Sequence, residues 1–484
     1  MLFTSLTFMA FLGVLAVLYY VVPHRFRWAL LLVGSLYFYI SWDWTLMPIL
    51  LLIGVTLVTY ACGRGMARTT DQTVKRRCLT VGLLANLGTL FVFKYLDFFL
   101  GQLGALMGVT MPQLRLPWPV GLSFYAFSAI TYLVDVYRNV MESETSLGKL
   151  ALYVSFFPKI FSGPIERARH FLPQLWERIQ FDPANITLGL ELIAWGLFKK
   201  AVIADRLAPF VTAAYSNPDY APPLTLIIGT YFFGFQIYCD FSGYTDIARG
   251  VARLLGIDLL ENFRRPFLSK SIGEFWAKRW HISLATWFRD YLYIPMGGSR
   301  VGWPRHYFNL MVIFVVSAIW HAGLGYGVSW AFFLWGLVNG LYVWGATAFT
   351  RAWRRAGSPL AKAAANPVLS VVRIVWTFHL WAFANIFFKA SSIPDAFTII
   401  TRIYDGLGSL GKVIRVYPFT SEFFLSLGLI GLLMVFEILD EKKSVWERIH
   451  ITPTAARWAV RYALVFGLII LGKWGQTEFI YMQF

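Results

Sequence analysis

The chain has 484 residues, 57% of them hydrophobic and only 14% charged, where a soluble globular domain carries about 25% charged residues. With a mean hydropathy of +0.58, this composition excludes an ordinary soluble enzyme and points to a polytopic membrane protein. The net charge of +17 does not mark a nucleic-acid binder, because no basic domain stands apart from the apolar segments. The basic residues lie in short stretches between apolar runs, as in GRGMARTTDQTVKRR (63–77) and RAWRRAGSPLAK (351–362). That is the pattern of cytoplasmic loops under the positive-inside rule.

In chain order, apolar segments at about 3–22, 28–42, 46–62, 79–93, 117–137, 148–163, 187–204, 224–241, 309–321, 328–349, 368–388, 423–438 and 458–474 predict spanning or membrane-buried helices. The stretches 96–108 and 243–256 predict shorter buried helices. The fold class is therefore all-α: a polytopic integral membrane protein of about 11–15 spanning or re-entrant elements, in one domain over 1–484. The first segment lacks a basic start and a cleavage site, so it reads as a retained helix rather than a signal peptide. Three scattered cysteines, Cys62, Cys78 and Cys239, form no CxxC and argue against a disulfide framework or a metal site.

The most polar long stretch, 257–308, reads as a cytoplasmic or interfacial region. Within it Trp276, Trp280, Leu284, Trp287 and Tyr291 recur at helical spacing, with Lys278 and Arg289 on other faces. This spacing predicts an amphipathic helix lying at the membrane surface.

No Asp, Glu, Lys or Arg occurs between His306 and Thr350, yet His321 sits in the middle of that run. The apolar piece before it, 309–321, reaches only ~20 Å as a helix, short of the ~30 Å hydrocarbon core. Gly323, Gly325 and Gly327 follow at once and predict a helix break. A broken helix at membrane depth must be buried in protein or line a cavity. The spacing thus predicts a half-length helix ending inside the protein at His321. An intramembrane ionisable residue is a functional candidate, and a histidine is suited to accept a proton near neutral pH. The alternative is a neutral core histidine hydrogen-bonded between helices. DFSGYTD places Asp240 and Asp246 beside small residues, predicting a second helix break with buried acids that orient a helix or a substrate.

The segment VVSAIWHAG resembles the histidine motif of the membrane-bound O-acyltransferase (MBOAT) family. ENFRRPFLSKSIGEFWAKRWHISLATWFRDYLYIPMGGSR (261–300) is similar to the signature block of its bacterial alginate O-acetyltransferase branch. So are PVGLSFYAFSAITYLVDVYR (119–138), FFPKIFSGPIERA (156–168), GLFKKAVIADRLA (196–208), YCDFSGYTDIARG (238–250), FKYLDFF (93–99) and the C-terminal FIYMQF. The resemblance covers nearly the whole chain in order. It implies an MBOAT-type bundle around a central catalytic channel in the bacterial inner membrane. It also implies transfer of acetyl groups from cytoplasmic acetyl-CoA to an exported polysaccharide, alginate-like or another cell-wall polymer. A periplasmic partner protein would complete the transfer, and no cofactor would be permanently bound.

The family's two histidines map onto His321 and His281 as the catalytic candidates. Trp320, Trp280, Arg279, Asp240 and Asn339 are the candidate substrate-binding residues. Arg264, Arg265, Lys270, Lys278, Arg279 and Arg289 supply charges suited to the phosphates of CoA, and the backbone of the glycine-rich turn or the Trp320 indole is suited to an oxyanion. The sequence departs from the family where WGLVNG puts Asn339 in place of a histidine, which leaves the acceptor polymer open. No HxxxxD follows any histidine, no GxSxG elbow is present, and GLGSLGKV (406–413) ends in Val413 where a P-loop needs Ser or Thr. The competing readings are a transporter using a His and Asp relay and a non-enzymatic scaffold of a polysaccharide export complex.

Overall fold

The computed structural model describes residues 1–322, 328–355, 366–408, 411, 419–475 and 478–480, and these are helical without a strand. In lipid each backbone polar group must be satisfied within the chain, so apolar segments of this length form helices. Seven described helices are long and apolar enough to cross a membrane: Leu46–Ala67, Gln72–Lys94, Pro223–Leu254, Trp330–Ala352, Pro367–Lys389, Ser421–Lys442 and Thr454–Leu471. Side-chain caps fix where several begin. Asp71 accepts from the Thr73 N–H, Asn366 from the Val368 N–H and Thr420 from the Phe423 N–H. Exposed Leu84, Val371, Leu432 and Ile469 line the outer faces of these helices, as contact with acyl chains requires.

The sequence predicts two segments, 224–241 and 243–256, separated by a break at DFSGYTD. The structure instead has one continuous helix, Pro223–Leu254, of 32 residues. The small residues there serve packing. A Cβ built on Gly243 would stand 2.7 Å from the Gly196 carbonyl oxygen, and one on Gly250 would stand 2.6 Å from that of Gly189. These two glycine pairs let Pro183–Leu197 lie directly against Pro223–Leu254, backbone to backbone. A π-helical segment, Phe198–Ala204, follows and turns Lys199 and Lys200 inward. Lys199 pairs with Asp246 at 2.6 Å, and Lys200 pairs with Asp240 at 2.7 Å and Asp205 at 2.8 Å. This pairing offsets the cost of taking these charges out of water.

The amphipathic helix expected within 257–308 is not a single helix. Ile272–Glu274 leads into a π-helical turn, Phe275–Arg279, and the chain then breaks at Trp280 and His281. It resumes as Ile282–Phe288 and a second π-helical turn, Arg289–Tyr293. Its aromatic residues face protein rather than the membrane surface. Trp287 stacks on Phe127 at 4.1 Å and donates to Thr131 Oγ1, while the Tyr291 hydroxyl donates to Asp135. Trp287 and Tyr291 thus meet the helix Leu122–Tyr137, whereas Trp276 packs on Phe314 and Trp335 and Trp280 on Trp381.

The helix that ends at His321 begins at Trp303, six residues before the predicted start, and has 19 residues. It is about 28 Å long and so is no half-length helix. Polar residues in its first turns, Arg305, His306 and Asn309, hid its start from the apolar pattern.

Replacing Gly243 with Leu is expected to force the two glycine-paired helices apart, an overpacking cost of about 1–3 kcal/mol. Thermal unfolding in detergent should show a lower Tm for Gly243→Leu and an unchanged one for Gly345→Leu, where nothing lies within 4 Å of the added Cβ. Equal Tm values for both variants would show that the close approach is not needed.

Candidate active site

His321 is the last residue of Trp303–His321, so the helix ends in the protein interior with carbonyl groups that have no intrahelical donor. Other parts of the chain supply those donors. The buried Lys94 ammonium donates to the Trp320 carbonyl at 2.7 Å, and the Tyr95 hydroxyl donates to the Ile319 carbonyl at 2.7 Å. A cation at this end also complements the helix dipole. Lys94 forms no salt bridge among the described residues. Its ammonium lies over the Trp118 ring, 5.0 Å from the centroid. In the same FKYLDFF stretch, Asp97 accepts from the backbone N–H groups of Leu114 and Arg115. Lys94 and Tyr95 of this segment therefore brace the end of the His321 helix.

The His321 ring is held by its own helix. Nδ1 lies 2.7 Å from the Ser317 carbonyl oxygen. A carbonyl can only accept, so Nδ1 carries the proton, and Nε2 of the neutral ring carries the lone pair. Trp335 packs edge-on against this ring at 5.1 Å.

His281 reaches the same place from the break in the 261–300 block. Its backbone is left-handed, with φ at 45°, a conformation uncommon outside glycine and in which histidine is enriched. The kink is held from both sides. Asn262 accepts from the Ile282 N–H through its carbonyl and from the Ser283 N–H through Oδ1, and the Ser283 hydroxyl accepts from the Ile165 N–H. His281 is buried, 4.7 Å from the Phe241 ring and 6.4 Å from the His321 ring between centroids. Neither of its ring nitrogens has a hydrogen-bond partner among the described residues. A buried polar group left this way is costly, and in a native structure it is exceptional. Such a group is suited to a ligand rather than to the packing.

His281 and His321 both line one cavity of about 300 Å³. Its walls are chiefly aromatic and aliphatic, including Trp276, Trp280, Phe314 and Leu284, and Arg289 and Tyr293 also line it. Among the candidate substrate-binding residues, only Trp280 belongs to this lining. Trp320 stands behind it, buried against His321 and His281, and its indole N–H has no partner among the described residues. Asn339 is fully buried and ties two walls together, accepting from the Trp276 indole and donating to the Trp335 carbonyl. It positions the aromatic wall beside His321.

Arg279 lies outside the cavity in an ion network, with Glu274 at 2.8 Å and Glu441 at 2.7 Å. Asp240 lies outside it too. It holds Lys200 and accepts from the Ile480 N–H at 2.8 Å, docking residues 478–480 near the C-terminus. The glycine-rich turn, with Gly323, Gly325 and Gly327, lies outside the described residues.

Sequence reasoning missed Lys94, Tyr95, Ser317, Trp276 and Trp335. Lys94 stands at the end of an apolar run, where a lysine ordinarily reads as an interfacial anchor. Only the fold brings it to the His321 helix.

A polytopic helical protein with two buried histidines on one apolar cavity is the architecture of an enzyme working within a membrane. The pattern of the membrane-bound O-acyltransferase family matches residues 36–392, and the chain belongs to that family. It is 34% identical to a probable alginate O-acetylase of Azotobacter vinelandii over 85% of this chain and 79% of that protein. It is 32% identical to a peptidoglycan O-acetyltransferase of Helicobacter pylori, over 76% of this chain and 72% of that protein. A teichoic acid D-alanyltransferase of Bacillus subtilis is 27% identical over 56% of this chain and 68% of its own length. The chain is thus a multi-pass membrane O-acyltransferase, which removes the transporter and scaffold readings.

Removing the lysine cap tests the bracing of His321. Lys94→Met should lower the acyl-transfer rate about 10–100-fold, the cost of a catalytic group misplaced by about 1 Å, with KM for the donor little changed. Lys94→Arg should recover part of the loss. Steady-state kinetics on both variants, each verified as folded by size exclusion, decides the point. A rate for Lys94→Met equal to wild type would show that the cap does not position His321.

Proposed function

We propose that this enzyme transfers acetyl groups from cytoplasmic acetyl-CoA to hydroxyls of an exported polysaccharide, from a bacterial inner membrane. The observation that carries this reading is the pair of buried histidines on one cavity, with neither His281 ring nitrogen partnered among the described residues and His321 held as the Nδ1–H form. The acceptor oxygen attacks the thioester carbonyl carbon while His321 Nε2 takes its proton. The tetrahedral intermediate collapses, the C–S bond breaks, and the thiolate leaves with the proton returned from Nε2 as CoA thiol. General-base catalysis of this kind contributes about 10²–10⁴-fold. The neutral His281 ring offers an N–H to the developing oxyanion.

The pantetheine arm suits the apolar walls of the cavity, and Arg289, which lines it and is exposed, suits a phosphate of the donor. The positive-inside rule supports a cytoplasmic face for the basic segments, where the donor would enter. Relatives named for alginate and peptidoglycan O-acetylation support a carbohydrate polymer as acceptor. A periplasmic partner protein that passes the acetyl group on to the polymer completes this reading.

Release of CoA thiol from acetyl-CoA by the purified protein tests it. His321→Ala should lower release by at least about 10²-fold, and His281→Ala should lower it as well, with both proteins folded. Wild-type turnover by His321→Ala would overturn the assignment of the base. If the wild type releases thiol only when periplasmic extract is added, the partner is obligatory. If it releases none even then, acetyl-CoA is not the donor.

A further inference from the structure

Three spanning helices end together around a second, larger cavity of about 930 Å³. Pro223–Leu254 contributes Arg249 and Arg253 from its last turns, Lys443 follows the end of Ser421–Lys442, and Arg457 and Arg461 open Thr454–Leu471. A cavity built from the ends of spans lies at the membrane surface. Leu188, Leu192, Leu259 and Trp446 give it apolar walls. Exposed Leu190, Ile451 and Trp458 stand beside it, residues suited to the headgroup boundary.

The charges in this cavity do not cancel. Glu191 is taken up by Arg461 and His450, each at 2.9 Å. Asp258 is shared by Arg253 at 3.5 Å and His170 at 3.6 Å. Arg249, Arg457 and Lys443 form no ion pair among the described residues, and the one remaining lining carboxylate is Glu447. Arg457 gives Nη2 to the Thr454 hydroxyl, while its Nε is buried without an acceptor among the described residues. Three uncommitted cations over apolar walls at a membrane surface fit a phosphate attached to acyl chains. The cavity shares no lining residue with the one that holds His281 and His321, so it is not the reacting end of the donor site.

We propose that this cavity binds the headgroup phosphate of an anionic phospholipid drawn from the leaflet on that side. The test uses the full chain, purified in neutral detergent, with phosphatidylglycerol or phosphatidylcholine added and lipid retention read by native mass spectrometry. A parallel arm measures binding of CoA without lipid. Wild type should retain phosphatidylglycerol in preference to phosphatidylcholine. Arg249→Gln/Arg457→Gln should lose at least tenfold of that retention with CoA binding unchanged, and Lys443→Gln, beyond the helix end, should weaken retention without a risk to folding. Undiminished phosphatidylglycerol retention by a folded double variant and by Lys443→Gln overturns the proposal. Loss of CoA binding with lipid retention intact also overturns it, because the phosphate bound there would then be the donor's.

Discussion

The site depends on a helix that ends inside the protein, away from bulk water. Its last carbonyl groups still need donors, because an unsatisfied carbonyl at that depth costs far more than one at a surface. The chain provides them from distant segments, Lys94 to Trp320 and Tyr95 to Ile319, while His321 turns its own Nδ1–H back onto the Ser317 carbonyl. One set of bonds therefore satisfies the helix end, fixes the ring orientation and selects the tautomer. The His321 ring is set by the same requirement that any buried helix end must meet.

The opposite side of the cavity follows from a different constraint. The 261–300 block is broken where His281 takes a left-handed backbone, and such conformations persist only where the surroundings over-determine them. Asn262, Ser283 and the Ile165 N–H supply that determination. The kink brings an imidazole into an apolar pocket with neither nitrogen paired among the described residues, an arrangement that favours the uncharged ring and leaves its polar atoms to whatever enters. Asn339 acts at one remove by joining Trp276 to Trp335, so the aromatic walls keep their spacing around His321.

Much of this was legible in the sequence. Composition and apolar runs give an all-helical polytopic protein, and His321 stands out because no formal charge surrounds it. The family motifs single out His281, which position alone would not. Other features were illegible for physical reasons. The DFSGYTD segment reads as a helix break because the packing partner of its Gly243, Gly196, lies far away in sequence. The Trp276–Tyr291 spacing reads as a membrane-facing helix because an aromatic face against protein and one against lipid have the same period. Lys94 reads as an anchor because nothing local shows that it meets Trp320. Asp240 and Arg279 carry charge in suggestive places, and the fold commits both to ion pairs outside the cavity.

The central claim is that His321 is held as the Nδ1–H tautomer, with the lone pair on Nε2. Nitrogen-15 spectra of histidine-labelled protein near neutral pH test it most directly, with the His321 signals among the seven histidines assigned by their loss in His321→Gln. The expected pattern is a protonated Nδ1 and an unprotonated Nε2. A ring protonated on Nε2, or on both nitrogens, would contradict it.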